Sequence, residues 1–196
     1  MRYIPKTKVY AFSNAYRENK TIENLVDIVN VEQLKALSKE QIPAISSKLA
    51  TTEIDFLVNL LSEKDDKLRY NAFLLLQAHS REQPSVYGYW DVLERKLSSD
   101  NSYQRSLGVM LISENVRWDK EGKFAKTMSK YITCCNDEKF ITARQTIQGL
   151  ETIVKSTNHH NDAIKQALVK LQFAKFKDNQ QKLLKKDALN VLKAIS

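Results

Sequence analysis

The sequence predicts an all-α protein, a right-handed α-solenoid of about five helical hairpins. Three observations carry that expectation. The 196 residues contain only 4 Gly and 3 Pro, too few for a hairpin-rich sheet protein or for Gly-rich phosphate loops. Leu, Lys, Gln and Ala, which favour helices, are abundant. Apolar residues recur at helical spacing from Thr21 onward, in segments separated by short polar turns.

The elements follow in order. "TIENLVDIV" and "VEQLKAL" are short apolar-periodic pieces. "SKEQIPAISSKLA" opens with Ser38 and Gln41 at capping-box spacing, and places Pro43 in a first turn, where its missing N–H costs little. "TTEIDFLVNLL" offers Thr52 as a cap, with Ile54, Leu57, Val58 and Leu61 on one face. The next helix spans about Lys67 to Ala78. Further helices are expected near 86–97, 103–114, 123–134, 138–156, 162–174 and 181–195.

A basic residue opens each second helix: Arg69, Arg105, Arg144 and Lys185, at spacings of 36, 39 and 41. Three positions on stand Ala72, Gly108, Ile147 and Ala188. Six positions on stand Leu75, Leu111, Leu150 and Val191, and twelve positions before stand Leu57, Leu93, Ile132 and Phe173. All three columns are apolar or small. A hairpin repeated at this period cannot bury its face alone, so neighbours must stack.

Each opening arginine follows an acidic turn. Asp65 and Asp66 precede Arg69, Asp100 precedes Arg105, and Asp137 precedes Arg144. This pattern resembles the HEAT repeat family of ARM-type folds, in which an acid between the two helices of a unit is followed by an Arg early in the second. The fourth unit departs, with Asp178 well before Lys185, and residues 21–50 lack the motif. Atypical terminal units are expected of caps. "YGYWDVLERKLSSDNSYQRSLGVMLI", "RWDKEGK", "DEKFITARQTI" and "FKDNQQKLLKKDALNVL" resemble a group of small bacterial HEAT-like proteins, some of which carry a "SufBD" label borrowed from iron–sulfur cluster assembly. Two adjacent cysteines, Cys134 and Cys135, cannot by themselves hold a cluster. The resemblance thus bears on the fold and the compartment.

Charge divides the chain. The net +8 comprises +4 in residues 1–20, −2 in 21–162 and +6 in 163–196. Residues 1–20 interleave Arg2, Lys6, Lys8, Arg17 and Lys20 with Tyr3, Tyr10, Phe12 and Tyr16. Such a segment suits single-stranded nucleic acid, but covering the exposed end of a solenoid is the favoured role. Residues 21–196 form the single solenoid domain. On the last helix Lys182, Lys185, Lys186 and Lys193 make a basic face opposite Leu184, Ala188, Val191, Leu192 and Ile195. That face is a candidate binding patch, with a solvated terminal helix as the simpler reading.

Two tryptophans precede acids, Trp90–Asp91 and Trp118–Asp119. HEAT-like DNA alkylation-repair glycosylases use aromatic and acidic groups in a basic concave cleft, where a carboxylate stabilises an oxocarbenium-like sugar and aromatic faces attract a cationic base. The structural alternative puts both rings between helices and both acids in first turns. His79, His159 and His160 show no metal-ligand spacing, and no Walker, H-E-x-x-H or G-x-S-x-G motif occurs. Neither a membrane span nor a secretory leader is expected. The reading is a cytoplasmic, non-catalytic binding scaffold without cofactor or metal. Its expected partner is a protein, with nucleic acid second through the basic ends. The arginines and their acids (Asp65, Asp66, Arg69, Asp100, Arg105, Asp137, Arg144) are expected to tie turns to helices, each Arg bonding its own turn's acid or the neighbouring repeat's turn.

Overall fold

Side chains that satisfy free backbone groups set most helix starts in this protein. The structure is a computed structural model and describes residues 30–195. The basic, aromatic segment 1–20 and the expected helix 21–29 lie outside the described residues. Among the described residues there are ten α-helices and no strand.

Helix α1 (Val31–Ala36) is capped by Asn30, which accepts the Gln33 N–H at 2.9 Å. At Ser38 the backbone N–H donates to the Gln41 side chain at 2.9 Å, starting a 3-10 turn at Lys39–Gln41. Pro43 lies in the first turn of α2 (Ile42–Ser46). Helix α3 (Thr51–Leu60) corrects one expectation: Thr52 lies inside the helix and is not its cap. Glu53 reaches back instead and accepts the Ala50 N–H at 2.7 Å, so the cap position falls on Ala50.

Helix α4 (Asp66–Glu82) starts at Asp65, whose carboxylate accepts from the N–H groups of Lys67 and Leu68 at 3.1 and 3.0 Å. The expected helix at 86–97 is two pieces, a 3-10 stretch Pro84–Tyr89 and α5 (Trp90–Lys96). Helix α6 (Ser102–Asn115) starts at Asn101, which accepts the Tyr103 N–H at 2.9 Å. After a 3-10 turn at Val116–Trp118 the chain enters α7 (Lys123–Thr133) through Gly122, whose φ of 68° suits a residue without Cβ. A 3-10 turn at Cys134–Asn136 leads to α8 (Phe140–Ser156). Helix α9 (Asn161–Leu168) stops short of the expected residue 174. The following segment buries Phe173 and Phe176 before α10 (Asp178–Ile195) begins.

The long helices α4, α6, α8 and α10 pack side by side in chain order. Helices α3, α5 and α9 pack against α4, α6 and α10 respectively, and α7 meets α8 largely through the turn Cys134–Asn136. The predicted columns form the seam. Leu75, Leu111, Leu150 and Val191 are fully buried, as are Leu57, Leu93, Ala72 and Ile147. Ile132 is only partly buried. Each fully buried Leu contributes about 1.5–3 kcal/mol relative to exposure. Small residues permit close approach. A Cβ on Gly108 would lie 3.0 Å from the Leu93 carbonyl oxygen, and one on Gly149 would lie 2.1 Å from the Tyr131 hydroxyl.

Candidate functional site

Each opening arginine sits in the first turns of a long helix. Side chains there point back toward the helix start, over the neighbouring turn. Arg105 on α6 grips Asp137 with two bonds, Nε to Oδ2 at 2.6 Å and Nη2 to Oδ1 at 2.8 Å. Its Nη1 donates to the carbonyls of Ser99 at 2.7 Å and Asp100 at 3.1 Å. Asp137 also accepts the Lys139 N–H at 2.8 Å, so one carboxylate both begins the α8 entry turn and holds the arginine of the preceding hairpin. Burial opposes ionisation of Asp137. The Arg105 bonds and the Lys139 N–H outweigh it and hold the carboxyl below the ordinary aspartate range.

Arg144 on α8 also reaches forward. Its Nε donates to Asp187 on α10 at 2.8 Å, and Gln148 adds a bond to the same oxygen at 3.2 Å. Asp137, which precedes Arg144 in the chain, thus serves Arg105 of the preceding hairpin. Asp100, expected beside Arg105, contributes its main-chain carbonyl, while its exposed side chain leaves the cap to Asn101. Of the two acids that precede Arg69, Asp65 pairs with Lys35 at 2.9 Å. Arg69 is held by Asp66 in its own turn and by the Glu63 carbonyl at 2.6 Å, with its guanidinium 4.3 Å from the centre of the Tyr103 ring.

The Trp–Asp pairs separate. Trp90 is 1% exposed, and its indole N–H donates to Thr127 on α7 at 3.0 Å. Tyr87 covers it with ring centres 5.5 Å apart. Trp118 is half-buried and donates to the Ser80 carbonyl on α4 at 2.7 Å. Asp119 accepts from the Lys123 and Phe124 N–H groups at 2.9 and 2.7 Å and from the Tyr87 hydroxyl at 2.7 Å. Its own burial works against ionisation, yet these donors keep its carboxyl below the ordinary range. Asp119 therefore anchors the start of α7, while Asp91 is exposed in the first turn of α5.

On α10 Lys182, Lys185, Lys186 and Lys193 are exposed, and none forms an ion pair among the described residues. Leu189 is 56% exposed in the same helix. His79 is buried, donating Nδ1–H to the Ser46 carbonyl at 2.7 Å. Cys134 and Cys135 are free and buried, and burial pushes the Cys134 thiol up to about 11. Among the described residues no three His, Cys, Asp or Glu side chains gather as a metal site, and no helix is long and apolar enough to cross a membrane.

Two polar clusters were not anticipated. Glu114 on α6 is 4% exposed and accepts from Arg81 Nε and Nη2 at 3.0 and 2.9 Å, with Arg117 at 3.6 Å. Lys96 at the end of α5 is 7% exposed, bonded to Ser62 at 3.1 Å and to Gln104. It borders an open groove of about 500 Å³ between the α3–α4 and α5–α6 turns. A sequence signal existed: Lys96 stands three residues after Leu93 and beside Leu97, on the buried side of a short helix.

A scan of protein families finds no match to this chain, and a search of curated proteins finds none either.

Proposed function

We propose that the chain is a HEAT-like α-solenoid acting as a non-catalytic binding scaffold, with a protein partner seated on the surface of its long second helices. The carrying observation is the side-by-side order of α4, α6, α8 and α10, each backed by a shorter element. That arrangement offers one continuous helical surface for recognition. Arg105 and Arg144 support the reading, because their guanidiniums are bonded to internal carboxylates. Trp90, bonded and covered, offers no open ring face for stacking a base. Two adjacent free thiols suit a reducing compartment, and we place the scaffold in the cytoplasm.

The exposed lysines of α10 favour one second reading, nucleic-acid binding through a basic terminal face. Capture from the native host separates the two. The wild-type chain is compared with a variant carrying Lys182→Glu, Lys185→Glu and Lys186→Glu. The scaffold reading expects a protein retained by the wild type in nuclease-treated lysate. Retention that disappears with nuclease, with affinity falling steeply as salt rises, would move the assignment to nucleic acid.

A further inference from the structure

The groove beside Lys96 has an unbalanced lining. Lys64, Arg69, Arg95 and Lys96 border it, against the single carboxylate of Glu63. The neighbouring hairpin shows what is missing. Asp65, Asn101 and Asp137 stand 36 residues apart, and each accepts the N–H two residues on, at 3.1, 2.9 and 2.8 Å. Arg105 lies 32 residues before Asp137 and takes both of its oxygens. Arg69 lies 32 residues before Asn101, so the place of the gripping carboxylate holds a neutral amide.

The consequences are visible in the side chains. Arg69 is 9% exposed, and its Nε has no hydrogen-bond partner among the described residues. Its carboxylate, Asp66, is 88% exposed in its own turn. Among the described residues the Lys96 amine is bonded only to neutral oxygens, on Ser62 and Gln104. Burial, with Arg69 and Arg95 nearby, pushes that amine down to about 8. A buried cation without a counter-ion is costly unless something outside the chain completes it.

We propose that this groove is an anion site that takes a phosphate group, which supplies between Arg69 and Lys96 the negative charge that Asp137 supplies to Arg105. A dianion fits better than a single carboxylate. Neither Lys96 nor Arg95 has an ion pair among the described residues, and the buried Nε of Arg69 has no hydrogen-bond partner there. The open groove admits a phosphate attached to a larger body as well as the free ion. Nothing in this proposal depends on the scaffold reading, because the site lies at the inter-helix turns.

Inorganic phosphate titrated into the full chain at constant ionic strength tests it, followed by calorimetry and by melting, with sodium chloride as the control. Phenyl phosphate forms a second arm. Lys96→Met removes the buried cation, and Asn101→Asp installs the internal carboxylate. The expected result is saturable phosphate binding that raises the melting temperature of the wild type. Both variants should bind at least about tenfold more weakly, the scale of a lost charge-assisted contact. Without phosphate, Lys96→Met should melt no lower than the wild type, since the lost amine had no counter-ion. Phenyl phosphate binding as well as phosphate identifies a monoester site, and phosphate alone identifies a site for the free ion. Absence of saturable binding, or binding retained in either variant, overturns the proposal.

Discussion

Asp137 does two jobs with one carboxylate, and its substitution shows how strongly a single residue holds this protein. Its side chain is 4% exposed and that of Arg105 is 12% exposed. Asp137→Asn leaves a buried guanidinium without its charge partner, a loss of about 3 kcal/mol or more. Urea unfolding at neutral pH should show that loss as a lower midpoint. The pH dependence has a definite sign. The folded carboxyl lies below the ordinary aspartate value of 3.8, so its contribution is complete above 3.8 and lost as pH falls below it. The gap between wild type and Asp137→Asn should therefore close in acid. A gap that stays constant from neutral pH to pH 2 would contradict this account. Sequence reasoning found the residues of this contact and left two partners open for each arginine, its own turn's acid or the neighbouring repeat's turn. Arg105 takes the second and reaches Asp137 across the stack. The same reasoning passed over Lys96, because a lysine in a polar helix end reads as solvated until the opposing Gly108 brings α6 against it.

At the scale of elements, the long helices were legible and the joints were not. The apolar columns around Leu75, Leu111, Leu150 and Val191 lie in the buried seam, because burial at helical spacing is a periodic signal. Helix α9 ends six residues before its expected limit. Phe173 fits the helical period, but burying Phe173 and Phe176 together takes the chain off the helix. Thr52 failed as a cap for a similar reason, since Glu53 satisfies the Ala50 N–H from within the helix. The seat of the Tyr131 hydroxyl against α8 depends on Gly149. Gly149→Ala should destabilise by about 1–3 kcal/mol, although alanine is the better helix former. Tyr131→Phe removes the atom that an added Cβ would meet at 2.1 Å, so the double variant should recover part of that loss. Thermal unfolding of the two single variants and the double variant reads this directly. Strictly additive losses would place the strain elsewhere.

At the scale of the whole molecule, the four long helices pack in chain order, and Lys67 and Tyr70 on α4, Lys155 on α8, and Lys182, Lys185 and Lys186 on α10 are exposed. Of the shorter helices, α7 exposes Lys126 and Lys130 and α9 exposes Lys165. The sequence indicated the stack through its period, and the charge map through the excess of lysine after residue 163. It carried no sign of which face is used, because lysines of both faces read alike until the helices are placed. Amine cross-linking of the captured complex, read by mass spectrometry, distinguishes the faces. The scaffold account predicts partner cross-links at Lys67, Lys155, Lys182, Lys185 and Lys186. Cross-links confined to Lys126, Lys130 and Lys165, or release of bases from alkylated DNA by a chain that retains no protein partner, would contradict it.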